Sequence, residues 1–256
     1  MTERSPNRTL SVGMEVGLPV LGAVALAVVL RGLYPPGELD TWMLDPAAVA
    51  GLCLGGLLWY ASHRLVPIRA AEGPLAGLFG LANSLTLLRG ALYAVVAGFV
   101  VVPPGTRLAW VPALAYGCGI VLDKLDGTIA RTVGRETELG ERLDMAFDTF
   151  GFVAAPLVAV LWGVLPVWYL SLSAARYVYR SGLAWRRHRG RPLFDPPDSD
   201  LGKYLAGVQM VFLTVALTPT APTTLVRTAA PFVLAPSLAV FARDFLVVTG
   251  RLGRER

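Results

Sequence analysis

Residues 121–148 read VLDKLDGTIARTVGRETELGERLDMAFD, placing four aspartates, Asp123, Asp126, Asp144 and Asp148, where two apolar runs meet a short charged loop. At helical spacing Asp123, Asp126, Gly127 and Ala130 share one face, and Gly140, Asp144 and Asp148 share another. Two helices packed side by side across the loop would bring all four carboxylates together. Like charges that close repel and take up protons unless positive charge sits among them. Two divalent cations a few ångströms apart meet that demand. A set of merely solvated helix ends is the plainer reading, and it fails at Asp148. MAF precedes this acid and TFGFVAAPLVAVLW follows it. An aspartate inside such a run costs roughly 2.5–3.5 kcal/mol unless it has a partner or a function.

The rest of the chain explains why such runs are present. Of 256 residues, 54% are hydrophobic and only 16% charged, and the mean hydropathy is +0.56. That composition is too apolar for a soluble domain of this size and indicates an integral membrane protein. Runs close to the ~20 residues that cross a bilayer recur near 12–31, 43–61, 84–103, 107–124, 143–164, 166–184, 203–219 and 228–248. The expectation is an all-α polytopic bundle of eight spans. The Pro-rich piece 191–200 reads as a loop, and 67–84 as a surface-lying segment. In the first run the candidate A-x-A sites fall inside the apolar stretch, so it reads as a span and not as a cleaved signal.

A net charge of +5 raises the question of nucleic acid. The basic residues instead alternate in position with the spans. Arg4 and Arg8, Arg64 and Arg69, Lys124 through Arg142, Arg186 to Lys203, and Arg243 to Arg256 fall on one side. The other side carries little beyond Arg31, Arg107 and Arg227. This asymmetry puts both termini and the aspartates at the cytoplasmic face and excludes a nucleic-acid partner. Cys53 and Cys118 lie in apolar runs and read as small packing side chains. With only His63 and His188 as imidazoles, a metal here must be held mainly by oxygen, which points to a hard cation such as Mg2+ or Mn2+.

Gly127, Ala130 and Gly140 let two helices approach closely, or let a flat ligand reach the backbone, and spacing alone leaves both uses open. Arg131 offers a planar cation suited to phosphate oxygens. Hard cations, an arginine and open backbone together describe a diphosphate site.

The pattern D-x-x-D-G-x-x-A-R, eight residues, then G-x-x-x-D-x-x-x-D, resembles the signature of the CDP-alcohol phosphatidyltransferase family. Asp123, Asp126, Gly127, Ala130, Arg131, Gly140, Asp144 and Asp148 occupy its positions. Upstream, NSLTLLRG is similar to the family's N-x-x-T-x-x-R, with Asn83, Thr86 and Arg89. Downstream, GKYLAGVQ is similar to the opening of a later core span, with Lys203 and Gln209, although Ala206 stands where a threonine is frequent. The likeness covers about residues 65–250. It implies six core spans preceded by a two-span extension, 1–64, and followed by a tail, 251–256.

The resemblance also implies an enzyme that moves a phosphatidyl-type group from a CDP-linked lipid to a hydroxyl acceptor and releases CMP, working as a homodimer. It makes Asp123, Asp126, Asp144 and Asp148 the ligands of two ions, with Asp148 as general base. It assigns Asn83, Thr86, Gly127, Ala130, Arg131 and Gly140 to the CDP moiety. Arg176 lies within an apolar segment and must face a polar cavity. With Arg89, Arg180 and Lys203 it is a candidate for holding a small polar acceptor, such as glycerol 3-phosphate or inositol phosphate. The basic loop from Arg186 to Arg191 reads as an anchor on anionic membrane lipids. Two rivals remain at this point: a branch using a soluble CDP-amino-alcohol with a lipid acceptor, and a transport protein whose aspartates bind a permeating cation.

Overall fold

The computed structural model describes residues 45–72, 81–133, 138–195 and 200–252. The first expected span, 12–31, lies outside the described residues. Among the described residues there are seven α-helices and no strand: α1 (Pro46–Glu72), α2 (Leu81–Gly98), α3 (Val111–Val133), α4 (Glu138–Leu161), α5 (Ser171–His188), α6 (Leu201–Ala216) and α7 (Thr223–Val248). Short 3-10 turns, Phe99–Val101 and Val167–Leu170, follow α2 and precede α5. The helices fall on the remaining seven expected spans. α1 runs on to Glu72, through part of the segment read as lying on the surface. Residues 191–195 of the Pro-rich piece are non-helical, as expected.

Among the described residues two stretches are long and apolar enough to cross a bilayer, Asp144–Leu161 in α4 and the whole of α7. Pro46–Tyr60, Leu85–Val101 and Leu201–Ala216 are apolar but shorter. Length and composition of the described helices therefore do not by themselves reach the expected count of spans. Charges interrupt the other windows, with Asp123 and Lys124 in α3 and Arg176 and Arg180 in α5.

α2 is the centre of the arrangement. It packs along α1, α3 and α4, while α6 bridges α3 and α7 and α5 lies on α7. α1 begins with an aspartate cap, since Asp45 Oδ1 accepts a hydrogen bond from Ala47 N at 2.9 Å. It then approaches α2 so closely at Gly98 that a Cβ there would stand 2.5 Å from the Pro46 carbonyl oxygen. Tyr93, Val96 and Phe99 of the α2 segment, Tyr116 of α3, Phe152, Ala155 and Val158 of α4, and Leu213 of α6 form one continuous core.

Side-by-side packing of the acidic helices, the condition the sequence set for the carboxylates to converge, is not what brings them together. Among the described residues α3 and α4 barely touch, and α2 lies between them. Charge explains the difference, because an inserted arginine relieves a repulsion that direct packing of the two carboxylate faces would create.

α4 contains Pro156, which cannot donate a backbone hydrogen bond to the Phe152 carbonyl one turn earlier. The Ser173 hydroxyl of α5 donates to that carbonyl instead, at 2.6 Å. The helix therefore continues to Leu161 and stops at Gly163, whose φ of +70° closes a Schellman turn. Beyond it, Trp162 Nε1 donates to the Val102 carbonyl at 2.8 Å, fastening the far ends of α2 and α4.

Candidate active site

The C-terminal half of α3, the N-terminal half of α4 and the first turns of α2 meet at one end of the bundle, and each contributes charge. Arg89 of α2 is fully buried. Its guanidinium is ion-paired with Asp123 of α3 and Asp144 of α4, and lies 3.6 Å from Asp148 Oδ1. Nη2 also reaches the Asp144 backbone carbonyl at 3.3 Å. Lys124 adds a weaker, exposed contact, 3.8 Å from Asp123 Oδ2.

Asp123, Asp144 and Asp148 each present one carboxylate oxygen, and the three oxygens lie within 4.8 Å of one another. Asp148 Oδ1 is buried and makes no hydrogen bond. A buried oxygen left without a donor, beside two further carboxylates, is the donor set a hard divalent cation takes. The residues present therefore fit a divalent metal ion.

The other residues of the signature are placed by their helices. Asp126, Gly127, Ala130 and Arg131 lie in α3 beyond Asp123, Gly140 lies in the first turn of α4, and Asn83 in the first turn of α2. Their side chains fall outside the described part of the structure. Thr86 is buried on α2, three residues before Arg89.

The four cations considered for an acceptor part company. Arg89 is enclosed by the carboxylates. Arg176 lies over the Phe152 ring, 3.9 Å from its centroid, one turn beyond Asp148 on α4. Arg180 reaches α4 from outside, donating to Thr149 Oγ1 at 3.4 Å and Met145 Sδ at 2.8 Å. Lys203 is exposed and paired with Asp200 at 3.1 Å.

Arg176 lines a cavity of about 170 Å³ between α4, α5, α6 and α7. Phe152, Leu172, Leu205, Val240 and Phe241 form its apolar wall, and Gln209, Ser237 and Asp244 add polar groups. Gln209 is held in place from three directions. Its amide donates to the Val233 carbonyl at 2.8 Å and to Ser237 Oγ at 3.0 Å, and the Tyr169 hydroxyl donates to its Oε1.

Two roles were not legible in the sequence. The sequence puts Arg89 among the acceptor cations, whereas the structure pairs it with Asp123 and Asp144; an arginine amid LTLLRGALYAVV already demands buried acidic partners. Tyr93, one turn further along α2, carries no charge to draw notice.

A model of the CDP-alcohol phosphatidyltransferase family matches residues 79–248. Three curated proteins named "Putative cardiolipin synthase", one from Mycobacterium bovis and two from strains of Mycobacterium tuberculosis, are similar to this chain. Each is 32% identical over 99 aligned positions that cover 32% of this chain and 47% of the relative. The chain thus spans about half the length of the curated relatives it matches. The family match takes in all three helices that supply the carboxylates and Arg89, and most of the chain besides, so this protein belongs to the CDP-alcohol phosphatidyltransferase family.

Proposed function

We propose that this protein is a membrane phospholipid synthase that transfers a phosphatidyl-type group from a CDP-linked lipid to the hydroxyl of a polar acceptor, releasing CMP. The observation that carries the reading is the convergence of Asp123, Asp144 and Asp148 from two helices onto one point. Asp126, three residues from Asp123 on the same helix, completes the ligand set for two ions. Bound there, divalent cations would offset the diphosphate charge and stabilise departing CMP.

The chain's own residues do the rest. Asn83, Thr86, Gly127, Ala130, Arg131 and Gly140 bind and orient the CDP moiety. Asp148 takes the proton of the acceptor hydroxyl as the new oxygen–phosphorus bond forms and the bond to CMP breaks. Arg89 keeps the carboxylates gathered. Of the four cations considered, Arg176 is best situated to hold the acceptor, because it lines the cavity beside Asp148's helix. An acceptor carrying phosphate, such as glycerol 3-phosphate or inositol phosphate, would match that guanidinium.

A second acceptor reading has its own support. The relatives' printed name refers to cardiolipin, which carries two phosphatidyl groups on one glycerol, so making it requires a glycerol-headed phospholipid as acceptor. The largely apolar wall around Arg176 suits such an amphiphile.

The catalytic unit is residues 65–250, following a two-span extension and working as a polytopic homodimer with its site at the cytoplasmic face. Large apolar side chains turned outward support a lipid setting, among them Phe232 at 76% and Val178 at 68% exposure. The test is purified protein in detergent with a CDP-linked lipid, magnesium and separate acceptors: glycerol 3-phosphate, inositol phosphate, and a glycerol-headed phospholipid. CMP release with one of them supports the reading and names the headgroup. CMP release with diacylglycerol and a CDP-amino-alcohol alone would move the protein to the other branch. Cation flux in vesicles without CDP-lipid binding would make it a transporter.

A further inference from the structure

Arg89 and Tyr93 are one turn apart on α2, and the same offset separates Gly119 from Asp123 on α3. On α4, Gly151 follows Asp148 by three residues. One turn deeper than the charged layer of Arg89, Asp123 and Asp148 there is therefore a second layer, made of Tyr93, Gly119 and Gly151.

Tyr93 is fully buried and fills that layer. A Cβ on Gly151 would come within 2.6 Å of Tyr93 Cε2 and 2.7 Å of Cδ2. On the ring's other edge, a Cβ on Gly119 would overlap Cε1 and stand 3.0 Å from Cζ. Neither helix has room for even a methyl group. Tyr116 backs the ring at a centroid distance of 5.2 Å. The Tyr93 hydroxyl makes no hydrogen bond. What the residue contributes is therefore the width of its ring.

Because α3 and α4 barely touch each other, that width decides how far apart they stand at this level. We propose that Tyr93 is a positioning residue for the carboxylate centre: wedged between Gly119 and Gly151, its ring sets the separation of Asp123 from Asp144 and Asp148, and with it the affinity for a divalent cation. The proposal rests on reading these carboxylates as a cation site.

The test is Mn2+ binding by purified full-length protein in detergent, followed by the loss of the free-ion electron paramagnetic resonance signal, with thermal unfolding of each variant alongside. Tyr93→Phe keeps the ring and should bind Mn2+ like the wild type. Tyr93→Leu removes the spacer, and Gly151→Ala forces it aside; each should weaken Mn2+ by about tenfold or more. The magnesium concentration needed for half-maximal CMP release should rise in parallel, with the maximal rate recovered at high magnesium. Should Tyr93→Leu fail to fold, Gly151→Ala decides alone. Unchanged Mn2+ affinity in the variants that fold, or a loss in Tyr93→Phe equal to that in Tyr93→Leu, would overturn the spacer role. Absence of Mn2+ binding by the wild type would remove the cation site itself, and the spacer with it.

Discussion

Arg89 sits where three carboxylates meet, fully buried, while the acids keep part of their surface open. Removing a cation from such a cluster leaves the acids facing one another uncompensated, so Arg89→Ala should lower stability by about 3 kcal/mol. Added magnesium should restore part of that loss, as thermal unfolding with and without the ion would reveal. Asp123→Ala and Asp144→Ala remove ligands and should abolish metal-dependent nucleotide binding, measured by calorimetry with CDP-lipid. Asp148→Asn preserves the shape of the side chain but not a base, and should bind CDP-lipid yet lose turnover. Full activity in that variant would dismiss the base assignment. The aspartates were legible because an acid in an apolar run is costly and their spacing puts them on common faces. Arg89's partners were not, since they lie 34 and 55 residues away in the chain.

At the scale of the helix, α4 carries Asp144 and Asp148 in its first half and Pro156 toward its other end. The Ser173 hydroxyl replaces the donor that Pro156 lacks, and with it gone the buried Phe152 carbonyl has no partner. Ser173→Ala should therefore cost about 1–2 kcal/mol. In a Pro156→Ala background the alanine N–H is available to Phe152, so the same change should cost less, and a double-mutant cycle would expose the coupling. The proline was plain in the sequence, but its compensation depends on which helix lies opposite. The same holds for α2. Its apolar run marked it as a helix, whereas its insertion between α3 and α4 follows from charge and ring size, which no single helix displays. Gly119 and Gly151 gain their meaning only once Tyr93 lies between them.

For the whole molecule, composition and charge asymmetry raise the expectation of an all-helical membrane protein with its acids on one side. The described residues are all-helical in their regular structure, and two of their helices are long and apolar enough to cross a bilayer. The acceptor was harder to read, because four candidate cations spread over three helices look equivalent in one dimension. In three dimensions Arg176 alone among them lines the cavity, Arg180 grips α4 from outside and Lys203 pairs with Asp200. Arg176→Ala should accordingly raise the acceptor KM by about tenfold, the worth of one charge-assisted contact, and leave the donor KM unchanged. A donor-only effect would contradict the assignment. If the carboxylates form a cation-dependent centre for CDP-lipid chemistry, catalysis must follow the metal. The decisive experiment is CMP release by purified wild-type protein, stripped of metal and then given magnesium. Release that vanishes on stripping, returns with magnesium and is absent in Asp123→Ala is the result expected. Release that persists without a divalent cation, or that survives in Asp123→Ala, would contradict it.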